Sequence, residues 1–198
     1  MTELSLGNLE VGCGLAQELL ARANENNDSI YELRAHIGLG YDAMRLERWD
    51  EAELHLTAFL RIGEALGNVR YVAIARINLA LLHVERGEWQ LGQSFAAKGM
   101  LECAAIPDDL AFCGAAALYC RALSGLGNYY KSAQWVGFTQ MLIERLQAQL
   151  ETPEKVQFER AQIEARAQLG AEFEMLAEQG AGWTIEGVVT EIRREAKV

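Results

Sequence analysis

Trp49, Trp89 and Tyr129 stand forty residues apart, in the stretches ERWDEA, GEWQLG and GNYYKS. A fixed period of this length limits the fold more than any composition can, because each copy must offer the same faces to the next. One period earlier, GNLEVG puts Leu9 in the bulky place. Three residues after each bulky residue come Gly12, Ala52, Gly92 and Ser132, and nine before it come Gly40, Ala80 and Cys120, all small. Ile37, Ile77 and Ala117 also match, as do Leu19 and Phe59 before the register drifts to Gly99 and Thr139. Small residues at two fixed places predict two helices in close approach, with the bulky residue plugging the turn between them.

The chain therefore reads as one half repeat followed by paired helices. A half repeat covers 8–27, repeats cover about 30–67, 70–107 and 109–150, and C-terminal helices cover 153–196, in a single domain over 1–198. Helices are expected near 9–24, 30–46, 50–66, 70–86, 89–104, 109–126, 129–150, 153–168 and 170–179, with a short last one from Ile185 capped by Thr184. The breaks NENNDS, GN, IPDD and TP carry the turn chemistry these limits need. Ile74, Ile77, Leu81 and Val84 show the apolar spacing of a helix face. With only two prolines and no strand-like alternation, the fold class is all-α, in antiparallel helix pairs.

Charge narrows the function classes. The formal net charge is −10, and with no basic cluster the chain is a poor partner for nucleic acid or an anionic membrane. Its longest apolar run, Leu110 to Cys120, is about half of what a spanning helix needs. The acidic start MTELSLGNLEVG lacks the pattern of a signal peptide, which predicts a cytoplasmic protein.

No constellation points to catalysis, metal or cofactor. The phosphate-loop, serine-elbow and HExxH patterns are missing, and Cys13, Cys103, Cys113 and Cys120 form no CxxC pair and do not group with His36, His55 and His83. The cysteines read as reduced core residues. Gly12 and Gly14 read as small packing residues inside the first helix, since no strand precedes them. Asp50, Glu51, Asp108 and Asp109 lie at helix starts, where the helix dipole favours negative charge. His83, in the apolar run NLALLHVERGEW, reads as a partly buried filler of a helix position, with a ligand contact or pH sensor as the functional option. Trp135, Phe138 and Trp183 read as core, with an apolar ligand pocket as the option.

The order small residue, aromatic turn, small residue, bulky apolar resembles the tetratricopeptide repeat, stretched from its usual ~34 residues; HEAT-like repeats share the period but lack the paired small positions. The tail QLGAEFEMLAEQGAGWTIEGVVTEIRREA is similar to the end of large bacterial signal-transduction ATPases, including LuxR-type regulators of the maltose-activator kind. The tetratricopeptide resemblance implies a right-handed superhelix of these pairs, a non-catalytic scaffold whose first helices line a groove for a protein or peptide partner. By position, that groove takes Arg34, Ile37, Tyr41 and Arg45, then Ile74, Ile77, Asn78, Leu81 and Glu85, and then Ala117, Leu118 and Arg121. Only Asn78 fits a carboxylate clamp, so the arginines suit an acidic, apolar segment. A ligand- or peptide-sensing arm of a bacterial regulator is the alternative, and an enzyme on a helical solenoid a weaker third reading. The uncovered face of Leu15 and Leu19 makes the chain either a fragment of a longer protein or a homodimer through its N-terminal half repeat.

Overall fold

The computed structural model describes residues 3–195, with side chains from residue 11 onward. Leu9 and residue 196, named above, fall outside the described side chains and residues. Among the described residues there are ten helices and no strand: α1 (Glu3–Asn26), α2 (Ser29–Arg45), α3 (Trp49–Ala65), α4 (Val69–Glu85), α5 (Trp89–Ala105), α6 (Asp109–Gly125), α7 (Tyr129–Leu146), α8 (Thr152–Leu169), α9 (Glu172–Ala181) and α10 (Ile185–Glu195). The protein is all-α, built of consecutive helices that pack against their neighbours. Two limits differ from expectation: α1 begins at Glu3, and α7 stops at Leu146 because Gln147 turns left-handed at φ 50°.

The structure halves the period that the sequence displays. Each of α2 to α6 is 17 residues long and is followed by three linking residues, so a new helix starts every twenty. The link is a backbone motif. After α2, Arg48 N–H donates to the Ala43 carbonyl at 2.9 Å and Glu47 N–H to that of Met44 at 3.0 Å, with Glu47 at φ 56°. The same pair of bonds closes α3 at Gly67 and Asn68, α4 at Gly87 and Glu88, and α6 at Gly127 and Asn128. These bonds occupy carbonyls that a helix end would otherwise leave bare. The residue that closes one helix also opens the next: the side chains of Asp28, Asn68, Asp108 and Asn128 accept from N–H groups of Tyr31, Tyr71, Ala111 and Lys131.

The chain divides into two compact units, Met1–Ala75 and Arg76–Val198, with the boundary inside α4. In the first, α2 packs on α1 and α3. Gly40 sets the α2–α3 approach, since a Cβ there would lie 2.8 Å from the Leu56 side chain. Leu33, Phe59, Ile62 and Ala75 form the core, with Ile37, Leu60, Tyr71 and Ile74 packed against it.

In the second unit α6 is the central element, buried at Phe112, Cys113 and continuously from Ala115 to Cys120. Its cysteine thiols are pushed up by burial, Cys113 to about 11 and Cys120 to about 12, so both stay protonated. Their reading as reduced core residues matches these positions. The tightest seam joins α7 to α9: a Cβ on Gly137 would lie 1.8 Å from the Ala177 carbonyl oxygen, and one on Gly180 1.7 Å from that of Gln134. Beside it, Trp135 meets Phe138 edge-on at 5.7 Å and Trp183 at 6.0 Å. The last helix, α10, lies against α5 through Val188, Val189 and Ile192.

Candidate functional site

The first unit presents one surface with the character of a binding face. Tyr31, Arg34, Tyr41 and Arg45 fall on a single side of α2, at intervals of three, seven and four residues. All four are exposed, the tyrosines at 48% and 39%. The opposite side of α2 carries Leu39, Gly40 and Ala43 into the interior, which fixes the outward aim of this row. The Arg34 guanidinium lies 5.7 Å from the Tyr31 ring centre, a spacing at which cation and ring attract. Tyrosine and arginine are enriched among the residues that carry binding energy at protein interfaces.

The groove residues predicted in the second unit are placed differently: Ile77, Ala117 and Leu118 are buried, and in the first unit Ile37 and Ile74 pack against the core. Asn78 and Leu81 are each 4% exposed, so they are interior groups and do not line an open groove. The reason lies in α4, which is buried without a break from Ile77 to Val84 and so has no free side along that stretch. Arg121 is 11% exposed; its Nη1 donates to Glu164 at 2.8 Å, and its guanidinium lies 4.5 Å from the Trp89 ring centre. Trp89 in turn fills the space against Gly125. Arg121 therefore locks the α5, α6 and α8 surfaces together. Gln157 of α8, 1% exposed, makes a similar tie by donating to Glu85 of α4 at 2.7 Å.

His83 is a buried filler, at 3% exposed, with Phe95 stacked on it at 5.3 Å. Its Nδ1 is 2.6 Å from Glu88 Oε2, and Arg86 Nε donates to the other Glu88 oxygen at 3.0 Å. Glu88 opens α5 yet makes no cap bond with its side chain, because these two groups hold its carboxylate. Asp108 does cap, as its position at a helix start implied. Gly12 packs, with a Cβ there 3.4 Å from Asp42, but Gly14 meets nothing within 4 Å, which corrects its reading as a packing residue. Trp135 and Phe138 are core at 2% and 0% exposed, whereas Trp183 is half-buried and lines a cavity of about 620 Å³ beside Trp135 and Lys131.

Two features escaped the sequence reading. His36 Nδ1 of α2 lies 3.0 Å from His55 Nδ1 of α3. Burial lowers the pKa of both; the neighbouring ring lowers His36 further, while Glu32 beside His36 and Glu51 beside His55 act the other way. At neutral pH the pair is uncharged, one ring donating to the other. The signal was present as ELRAH and EAELH, a glutamate four residues before each histidine on antiparallel helices. The second feature is Glu154, 9% exposed in the first turn of α8, whose carboxyl burial holds above its ordinary range. Among the described residues no group of three or more His, Cys, Asp or Glu could hold a metal ion, and no helix is long and apolar enough to cross a membrane.

No protein-family model matches the chain, and no curated protein matches it either.

Proposed function

We propose that this chain is a tetratricopeptide-like interaction module without catalysis, and that the exposed Tyr31, Arg34, Tyr41 and Arg45 row of α2 is where it takes an acidic, apolar segment of a protein or peptide partner. The observation that supports this is the outward row itself, in a chain of net charge −10. Two arginines flanking tyrosine rings on one helix face favour carboxylates set among apolar side chains. The second unit offers no matching cation at Arg121, whose charge Glu164 already meets. A cytoplasmic place in bacterial signalling accords with the resemblance of the tail.

The test is fluorescence anisotropy of a panel of short peptides interleaving Asp and Glu with Leu and Phe. The double variant Arg34→Glu, Arg45→Glu is expected to bind at least ~10-fold more weakly, each lost contact and added repulsion costing about 1 kcal/mol. Lys155→Glu, an exposed site in the second unit, serves as control. Equal binding by all three chains would remove the reading.

A second reading, a ligand-sensing arm, draws on the cavity of about 620 Å³ walled by Trp135 and Trp183. A saturable thermal shift with a small metabolite would favour it over a pure scaffold. Val11 and Leu15, one turn apart on α1 and 64% and 63% exposed, support pairing of this end with a second copy. Light scattering that shows a monomer at high concentration would exclude that dimer.

A further inference from the structure

The second unit holds a helix that is seated in a groove larger than itself. The α10 helix is strongly one-sided: Val188, Val189 and Ile192 are buried, while Thr190, Glu191, Arg193 and Arg194 face solvent. It packs across α5 through these three side chains, and Glu195 at its end also makes a hydrogen bond with the buried Tyr119 of α6. At its far end Glu195 meets Lys131 of α7 at 2.5 Å, in a pair that is 28% and 43% exposed and so of small worth. At its near end Thr184 caps it by accepting from Gly187 N–H at 3.1 Å, after a break at Gly182.

The space around α10 is open on both flanks. A cavity of about 620 Å³ lies on the side of Val188 and Trp183, and one of about 500 Å³ on the side of Val189 and Arg145. A third, of about 240 Å³, opens between Ile192 and the α5 residues Ala97 and Leu101. All three are clefts open to solvent along the edges of α10. A groove flanked in this way has room for a bulkier apolar stripe than two valines and an isoleucine supply. Its rim carries Lys98, Lys131 and Arg145, cations in an otherwise acidic chain.

We infer that the groove on α5 and α7 is a binding site for an amphipathic, acidic helix of a partner, and that α10 is the resident helix such a partner displaces. The resident supplies the pattern: branched apolar residues at Val188, Val189 and Ile192, and an acid at Glu195 to meet Lys131. Short helices held by few apolar contacts open at a fraction of the free energy of the whole fold. A partner with larger side chains on the same stripe fills the flanking space and gains contacts that α10 lacks. This rests on the reading of the chain as a binding module, but it uses a surface in the other unit from α2.

The test uses the full chain and a fluorescein-labelled peptide of residues Trp183–Glu195. In the variant Ile192→Asp the resident helix loses its buried anchor. That variant is expected to bind the peptide at least tenfold more tightly than the parent chain does. Adding Lys131→Glu should weaken that binding only slightly, as expected of an exposed ion pair. A peptide carrying Leu at both 188 and 189 should bind the variant more tightly still. Equal binding by parent and variant, no binding by either, or weaker binding of the leucine peptide would overturn the inference. Should Ile192→Asp unfold the chain, hydrogen exchange of the parent decides: amides of α10 are expected to exchange at least 100-fold faster than those of α6, and equal rates would contradict the claim. Arg34→Glu should leave peptide binding unchanged, so failure here and failure at α2 are told apart.

Discussion

The two units use the same helical unit and spend their charged groups in opposite ways. In the first, α2 turns Arg34 and Arg45 outward beside two exposed tyrosines. In the second, Arg121 is closed by Glu164 and Trp89, and Arg76 by Glu102. A cation that ties two helices has its geometry fixed and its charge met, so it has little left to offer a partner. Position within a repeat is therefore a poor guide to availability: Arg34 and Arg121 both stand on first helices of their pairs, and only one is open.

The seams differ in the same direction, and substitution at glycine separates them most sharply. Gly137→Ala or Gly180→Ala puts a methyl group into a backbone carbonyl of the facing helix, which cannot yield. Either change should cost about 3 kcal/mol or more and detach α9, measured by chemical denaturation and by loss of exchange protection in α7 and α9. Gly40→Ala in the first unit meets side-chain atoms, Leu56 Cδ2 and Cγ, and no backbone, and should cost about 1 kcal/mol. Equal costs at the two seams would break the contrast.

Acid should also divide the units. His36 and His55 have folded pKa values below 6.5, so the unfolded chain binds more protons as the pH falls below that value. The stability they contribute is whole above pH 6.5 and is lost on descent through the lowered values. Glu154 works in the reverse sense: its raised pKa makes the folded chain the better proton binder above 4.5, so acid favours the α8 seam. Between pH 7 and 5, amides of α2 and α3 should lose exchange protection while those of α6 and α8 keep theirs. His36→Gln with His55→Gln should flatten the first response, and a profile unchanged by that pair would show that the histidines are not its source.

The smallest effect expected is at the turns. Glu47 holds the left-handed place that Gly67, Gly87 and Gly127 fill elsewhere, so Glu47→Gly should raise stability by up to about 1 kcal/mol, read as a higher melting temperature. A fall would mean that the Glu47 side chain supports the turn in some other way.

Much of the architecture was legible because it is carried by side chains of fixed size. Trp49, Trp89 and Tyr129 marked the helix starts at those positions, and Gly40 and Gly92 marked close approaches. The twenty-residue unit stayed hidden because its link is made by backbone bonds, which Asn27, Glu47, Gly67, Gly87 and Gly127 all form despite having little in common as side chains. At the site, Arg34, Tyr41 and Arg45 came from position within the repeat; Tyr31 was missed, and Ile37 packs against the core. The burial of Asn78 and Leu81 did not show in the sequence, since α4 gives no sign of which neighbours surround it. Nor did the partner of Arg121, because Glu164 lies 43 residues on, out of step with the forty-residue register.

The contrast between the units is tested most directly by mapping where an acidic, apolar peptide lands. Titrating the tightest member of the panel into isotope-labelled protein and following amide chemical shifts gives that map. The largest saturable changes are expected at Tyr31, Arg34, Tyr41 and Arg45 on α2, with little change near Arg121. Changes that cluster around Asn78, Leu81 and Arg121 and leave α2 unmoved would contradict the assignment of this peptide to the α2 row.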